Sequence, residues 1–540
     1  MKPADDSKNR VVLNALSMAM GTMTSRVLGL VREMVLTAYF PRSITDAWTV
    51  AFRLPNVFRR ILGEGALSVS FIPVFVEAHH DSPERAKNVM YGVYTLLLLI
   101  LTVLTCLGII YIEPLINIML DENYGNIPGK LELTYRMARI MFGFVFLVST
   151  YAFFMGILNA LGSFAIAAMA PTLFNISMIV STLIPSEKFP SPGDGLAWGV
   201  LVGGALQLFL LIPVLRSKDY FPNICWNIST LIKNPDVQKV FRNMLPGLFG
   251  LGLLQITTLV NQRFASELGE GAITYIYLAD RLLELPLSLI SVSLGVALLP
   301  MLSGLWSRGE KRQMAETMFY YVRLNLYLVL AAALGLFMLS RPIVEVLFQR
   351  GKFTAHDVEL TVGVVCVWSL IMIPSSLVRV LAPAYYAVKN TWLPAVVSLI
   401  CLVVHLMAAP WLMDNYGLTG LNISSLLSSS LNMILLLFFY RKLIYKISLV
   451  DMAKKILLFI FPLFGMAFVL YFYDPVEAWA LGIFPSLIFL VKLIVLVSFI
   501  VMGLFTFVTI SWLMGLDESK ATIDRVLGKL RRYLEKRSRN

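Results

Sequence analysis

The chain has 540 residues, 58% of them hydrophobic and 14% charged, with a formal charge of +12 and a mean hydropathy of +0.76. A soluble domain carries about 25% charged residues, so this composition excludes a string of soluble domains and calls for an all-α polytopic membrane protein. Cys106, Cys225, Cys366 and Cys401 form no CxxC and no zinc-like spacing with the four histidines, and no P-loop, GxGxxG or GxSxG motif occurs, so no metal, no cofactor and no enzymatic reaction is expected.

In chain order the apolar runs predict fourteen spans, near 11–38, 46–76, 88–112, 134–158, 163–184, 195–215, 240–266, 273–303, 314–340, 358–387, 392–413, 417–440, 455–473 and 480–514. Lys2, Lys8 and Arg10 have the look of a signal-peptide n-region. Apolar character resumes past Arg26 and Arg32 without a small-residue cleavage site, so a retained first span is expected. Asn88 to Ile112, Leu393 to Met413 and Gly417 to Tyr440 hold no charged residue, and each can cross a ~30 Å hydrocarbon core as a helix. With the N-terminus in the cytoplasm, the external loops keep only six of the 45 Lys and Arg residues. That positive-inside bias places both termini in the cytoplasm, and it makes the net charge a matter of topology rather than of nucleic-acid binding. The exception is the basic external loop carrying Arg341, Arg350 and Lys352.

The first twelve spans divide six and six, so the two halves share one orientation and any repeat axis lies along the membrane normal. A faint echo agrees: Arg53 and Pro73 are separated by 20 positions, Arg281 and Pro300 by 19, and Ser-Val-Ser occurs in both stretches, at Ser68 to Ser70 and Ser291 to Ser293. The expected organisation is a six-helix lobe over 1–218, a cytoplasmic linker with an amphipathic segment over 219–239, and a second six-helix lobe over 240–440. Two further helices follow over 441–514, then a basic amphipathic tail over 515–540 that suits an anionic lipid surface. Gly195, Gly199 and Gly203 predict close helix packing. The sequon Asn227-Ile228-Ser229 falls in the cytoplasmic linker and is read as chance.

A charge at the bilayer centre costs about 2.5–3.5 kcal/mol, so charges inside spans need partners or a water-filled cavity. Span one carries Arg26, Arg32 and Glu33, with Arg26 and Glu33 nearly eclipsed seven residues apart and Arg32 projecting elsewhere. Span two carries Asp46, Arg53, Arg59, Arg60 and Glu64; Asp46, Arg53 and Arg60 form one stripe, joined by Asn56 and Glu64. Span eight groups Tyr277, Asp280, Arg281 and Glu284. Six arginines face five carboxylates on these spans, which leaves at least one cation for a guest. All six are Arg, whose fork binds phosphate oxygens bidentately and never loses its proton. A polyanionic guest, a phosphate or diphosphate, therefore fits better than a cationic drug. Arg136, Arg139, Arg323 and Arg379, near span ends, are expected to snorkel, and Arg263 and Lys492 are left without a role. Pro55 and Gly29 permit bending of charged helices, as alternating access requires.

Ser25-Arg26-Val27-Leu28-Gly29-Leu30-Val31-Arg32-Glu33 opens a longer pattern. It continues in Thr45-Asp46-Ala47, Ala51-Phe52-Arg53-Leu54-Pro55-Asn56 and Arg59-Arg60-Ile61-Leu62-Gly63-Glu64-Gly65-Ala66. Further pieces are Ala170-Pro171-Thr172-Leu173-Phe174-Asn175-Ile176-Ser177, Ala279-Asp280-Arg281-Leu282, Leu347-Phe348-Gln349-Arg350-Gly351-Lys352-Phe353 and Leu381-Ala382-Pro383. Carrying these, the chain resembles the MurJ/MviN lipid II flippases of the MOP transporter superfamily from span one to span twelve. The resemblance implies two pseudo-symmetric six-helix lobes in a V around a cationic cavity, plus two C-terminal helices with a groove for a polyprenyl tail. It implies transfer of lipid II from the cytoplasmic to the periplasmic leaflet of a bacterial inner membrane, without chemistry on the lipid. Arg26, Arg32, Arg59 and Arg281 match family arginines at the diphosphate-sugar headgroup, and Arg53 sits where some relatives have Lys. Asp46, Glu64, Asp280 and Glu284 match acidic positions tied to function or gating, to which Glu33 adds a charge-pairing candidate. The implied partners are lipid II and membrane lipids, with cell-wall synthesis proteins beyond them. The competing readings are a flippase for another polyprenyl-diphosphate oligosaccharide, a multidrug exporter and a non-transporting cell-wall scaffold.

Overall fold

The structure, a computed structural model, describes residues 21, 23–61, 67–163, 165–445 and 449–520. Among the described residues it is helical throughout, with no strand. The helices are α1 (23–39), α2 (Arg42–Phe58), α3 (Leu67–Asp81), α4 (Pro83–Ile110), α5 (Ile112–Ile118), α6 (Lys130–Phe142) and α7 (Phe144–Ala160). Then come α8 (Ala165–Leu183), α9 (Asp194–Ser217), α10 (Ile228–Lys233), α11 (Pro235–Glu267), α12 (Ala272–Leu287), α13 (Ser293–Ser307) and α14 (Lys311–Met338). The last are α15 (Ser340–Phe348), α16 (Ala355–Ala387), α17 (Trp392–Leu443), α18 (Leu449–Leu457), α19 (Ile460–Tyr471), α20 (Tyr473–Ile483) and α21 (Ile488–Leu513).

Local chemistry sets where these helices start. The Ser82 side chain accepts from the Arg85 backbone N–H ahead of Pro83, and Asn234 caps α11 ahead of Pro235 in the same way. Thr354 and Asp357 close a reciprocal capping box on α16. Asn227, the sequon residue, spends its side chain capping α10. Among the described residues, nine helical stretches are long and apolar enough to cross a membrane, which makes this a multi-pass membrane protein.

Spans two and eight each run through a wide turn. α2 contains Pro55, which offers no N–H to the ladder, and π-helical backbone follows at 59–61. In span eight Pro286 precedes a π-helical turn at Ser288–Val292 between α12 and α13. The bend anticipated from Pro55 is thus a change of helix winding, and it recurs in the second half of the chain. Spans eleven and twelve meet at Gly417, whose φ of 53° and ψ of −130° break α17 in two.

The chain folds as two compact units: residues 1–274 with 350–353, and residues 275–349 with 354–540. Unit 1 packs around aromatic rings, with Phe71 against Phe153 at 4.8 Å and Trp48 stacked on Phe52 at 5.3 Å. α8 and α9 approach closely where the glycines lie: Ser177 donates to the Gly199 carbonyl at 2.9 Å, and a Cβ on Gly203 would meet the Phe174 ring at 2.8 Å. The core of unit 2 joins α13, α14 and α16 to the C-terminal helices through Tyr327, which lies 4.7 Å from Phe507 and 5.5 Å from Phe459. The outer faces of α19 and α21 expose Phe461, Phe464, Phe468 and Phe505, an apolar surface suited to lipid.

Candidate functional site

The singled-out charges of unit 1 fall into two groups. The first is built around Arg32, which α1 places in a pocket where it is only 6% exposed. Its guanidinium pairs with Glu33 and donates to the Asn175 side-chain oxygen at 3.1 Å. The Trp48 and Phe174 rings stand 5.8 and 5.6 Å from it. Asn175 is held in turn by its own donation to the Ser25 carbonyl at 2.8 Å. Helical spacing sets Arg26 and Glu33 nearly eclipsed; the structure also pairs Glu33 with its chain neighbour Arg32, and both of these side chains are buried. Along α2, Arg53 donates to Gln262 of α11 at 2.7 Å and Arg59 to Asn56 at 2.9 Å. Arg26, Arg53, Arg59 and Arg60 are all half-buried. Glu64 lies outside the described residues.

The second group centres on Asp46, which is fully buried. Its stripe partners Arg53 and Arg60 are not its ligands. One carboxylate oxygen accepts from the Thr274 backbone N–H at 3.0 Å and its hydroxyl at 2.6 Å. The other accepts from the Gly271 N–H at 2.7 Å and from Lys130 at 2.9 Å. Asp46 thus caps the N-terminus of α12 from another helix, where backbone donors and the helix dipole favour an anion. Lys130 is itself 2% exposed, and its ammonium sits 4.4 Å from the centre of the Tyr124 ring. Sequence reasoning missed Lys130, which fell in a loop just short of span four. The signal available was that this lysine is one of the few basic residues left on the external side.

In unit 2, Arg281 donates to the Tyr277 hydroxyl at 3.0 Å, lies over that ring at 4.8 Å, and pairs with Glu284 at 3.2 Å. Asp280 is half-buried beside it. The expected cluster Tyr277, Arg281 and Glu284 therefore forms, with the Arg281 side chain 30% exposed. Lys492 of α21 pairs with Glu345 of α15 at 2.7 Å and Glu477 of α20 at 3.4 Å, so the lysine left without a role ties the last helices to α15. Arg323 corrects the snorkelling expectation: it is buried against Glu518 at 3.0 Å, a partner that lies beyond the last span. Arg136 and Arg139 are half-exposed but committed, to Asp194 and Glu113.

Two basic features lie outside the spans. Arg85 chelates Asp236 with two donations, at 2.9 and 2.8 Å, and also reaches Asp81. The bound guanidinium holds the Asp236 carboxyl below its ordinary range. In the basic loop Arg341 is claimed by Glu359, which raises its already high pKa, while burial pushes the Arg350 guanidinium down. The loop tip meets α1 backbone to backbone. The Lys352 N–H donates to the Ala38 carbonyl at 2.8 Å, and Gly351, with φ of 55°, leaves no room for a Cβ beside that carbonyl.

Taken together, these elements supply several guanidinium forks on spans one, two and eight, chemistry suited to phosphate oxygens. A family model described as lipid II flippase MurJ matches residues 37–490. A probable lipid II flippase MurJ of Bdellovibrio bacteriovorus is 50% identical over 475 residues, covering 88% of this chain and 90% of that protein. The lipid II flippase MurJ of Burkholderia cenocepacia is 32% identical over 426 residues, covering 78% and 82%. Among solved structures, a lipid II flippase MurJ in an inward closed conformation shares the fold, with a TM-score of 0.72 at 22% identity over 90% of this chain and 97% of that one. An inward-facing multidrug resistance MATE family transporter of the MOP superfamily shares it at a TM-score of 0.65 and 15% identity, over 82% and 99%.

Proposed function

The chain belongs to the MurJ lipid II flippase family, and from that premise we propose that it carries lipid II from the cytoplasmic to the periplasmic leaflet of a bacterial inner membrane. The observation that carries this reading is the identity of half the residues with the Bdellovibrio relative across nearly the full length of both proteins. The residues add a mechanism. The half-buried Arg26, Arg53 and Arg59, with Arg281 of span eight, take the diphosphate, because a guanidinium fork matches phosphate oxygens bidentately. Arg32, enclosed by Glu33, Asn175, Trp48 and Phe174, shapes the wall of that site. Asp46, Glu64, Asp280 and Glu284 act in gating, and Glu33 in charge pairing. Both termini lie in the cytoplasm. The lobes over 1–218 and 240–440 alternate in access, while the helices over 441–514 guide the lipid tail and the headgroup alone crosses the aqueous path.

The test is lipid II exposure at the outer leaflet of bacteria depleted of their own flippase and expressing this chain, compared with Arg26→Ala and Arg281→Ala at matched membrane levels. The wild-type chain restores exposure, and each variant reduces it by an order of magnitude or more, at a cost of about 1.4 kcal/mol per factor of ten. Failure of well-inserted wild type to restore exposure would move the assignment to another polyprenyl-diphosphate oligosaccharide. Loss of membrane insertion in both variants would make the arginines structural.

A further inference from the structure

Asp46 has four donors, and three of them, the Gly271 N–H, the Thr274 N–H and the Thr274 hydroxyl, belong to the short stretch that opens α12. Only Lys130 comes from elsewhere, on α6, which packs directly along α2. The position of Lys130 runs against local preference. It is the first residue of α6, following Gly129 with φ of 75°, and a cation in the first turn opposes the helix dipole. It is also buried, with its ammonium between a carboxylate and the Tyr124 ring, whose hydroxyl is fixed to Thr134 at 3.0 Å. A buried ion pair contributes little net stability, because desolvation offsets the Coulombic gain. Folding stability alone therefore does not account for a lysine here. What the pair does supply is a partner for Asp46 that does not leave with α12.

We infer that Lys130 is a positioning residue: it keeps the Asp46 carboxylate partnered whenever the start of α12 withdraws, which makes closure of this end of unit 1 reversible. With Lys130 present, breaking the three α12 bonds leaves a charged carboxylate still held by an ammonium. Without it, the same step would strand a buried charge, so Asp46 stays on the α12 amides and the end stays shut. The inference deepens the flippase reading, in which this closure is the external gate.

The experiment uses the full chain in membranes, with the four native cysteines replaced by alanine and cysteines placed at Ser43 and Glu270. Those positions adjoin, since the Ser43 N–H donates to the Glu270 carboxylate at 2.7 Å. Disulfide yield and labelling by an impermeant maleimide report closed and open forms. Lys130→Met raises the crosslinked fraction and lowers labelling several-fold, and Lys130→Gln, which keeps the hydrogen bond but not the charge, does the same if the Met variant fails to insert. Adding Asp46→Asn to Lys130→Met removes the charge that needed a partner and returns the crosslinked fraction toward wild type; Lys130→Arg restores it as well. A plain structural brace gives the opposite sign, with less crosslinking in Lys130→Met, and that result overturns the inference, as does a double variant no more open than the single one. No lipid II is needed for this readout, so its failure is separable from failure of the flippase assignment.

Discussion

Arg32 and Asp46 show how a membrane interior treats single charges. Each is enclosed, and each finds a counter-charge and neutral donors or acceptors within one shell. Helical spacing located the faces on which these residues lie, but it could not name what stands opposite. Asp46 meets Lys130, 84 positions along the chain. Arg53 meets Gln262, and Arg323 meets Glu518, each on a segment that its own helix says nothing about. The Arg281 cluster was legible because its partners Tyr277 and Glu284 sit four and three residues away on the same helix. At this scale Asp236 carries a pH prediction. Its folded carboxyl lies below the ordinary value, so the Arg85 contact stabilises fully above about pH 4, the unfolded range, and that contribution is lost as pH falls through the folded value. Thermal melting of the purified protein should show Asp236→Asn less stable than wild type at neutral pH. The gap should close in stronger acid, and a gap constant with pH would contradict the assignment.

Among elements, long uncharged runs were the readable signal. α4 and the two halves of α17 fall close to their expected bounds, including the break at Gly417. The π-helical turns were not readable, because Pro55 and Pro286 announce a missing donor but not how the ladder reforms around it. The glycine series on α9 was readable for a steric reason: only a missing side chain lets α8 come so near. Gly203→Leu should drive its side chain into the Phe174 ring and backbone and destabilise unit 1 by about 1–3 kcal/mol. A melting temperature lowered by several degrees in detergent would agree; an unchanged one would mean that α8 and α9 separate freely.

For the whole molecule, composition and the asymmetric distribution of Lys and Arg carried the reading to a multi-pass membrane protein, and a few short motifs carried it to the family. How the C-terminal helices attach was not visible, since Lys492 sits in an apolar run with no acidic neighbour on its own helix. The structure supplies Glu345 and Glu477 from two other helices, and Tyr327 from α14 packs against Phe459 and Phe507. Lys492→Met leaves two carboxylates without their shared cation and should cost about 1–3 kcal/mol in thermal stability. Adding Glu345→Gln and Glu477→Gln should recover most of that loss. If the triple variant melts no higher than Lys492→Met, the lysine acts through its packing and not its charge.

The loop tip at Gly351 has a consequence for how this protein can vary among its relatives. Its seat on Ala38 is a backbone-to-backbone contact, one carbonyl receiving one amide with a bare Cα alongside. Such a joint fixes the number of residues between α15 and α16, because one more or one fewer would carry the amide past its acceptor, and the buried Phe353 beside it, under the Arg42 guanidinium, holds the same register. Insertions and deletions between α15 and α16 should therefore be rare among relatives, and Gly351 itself should resist substitution, since a Cβ there would meet the Ala38 carbonyl.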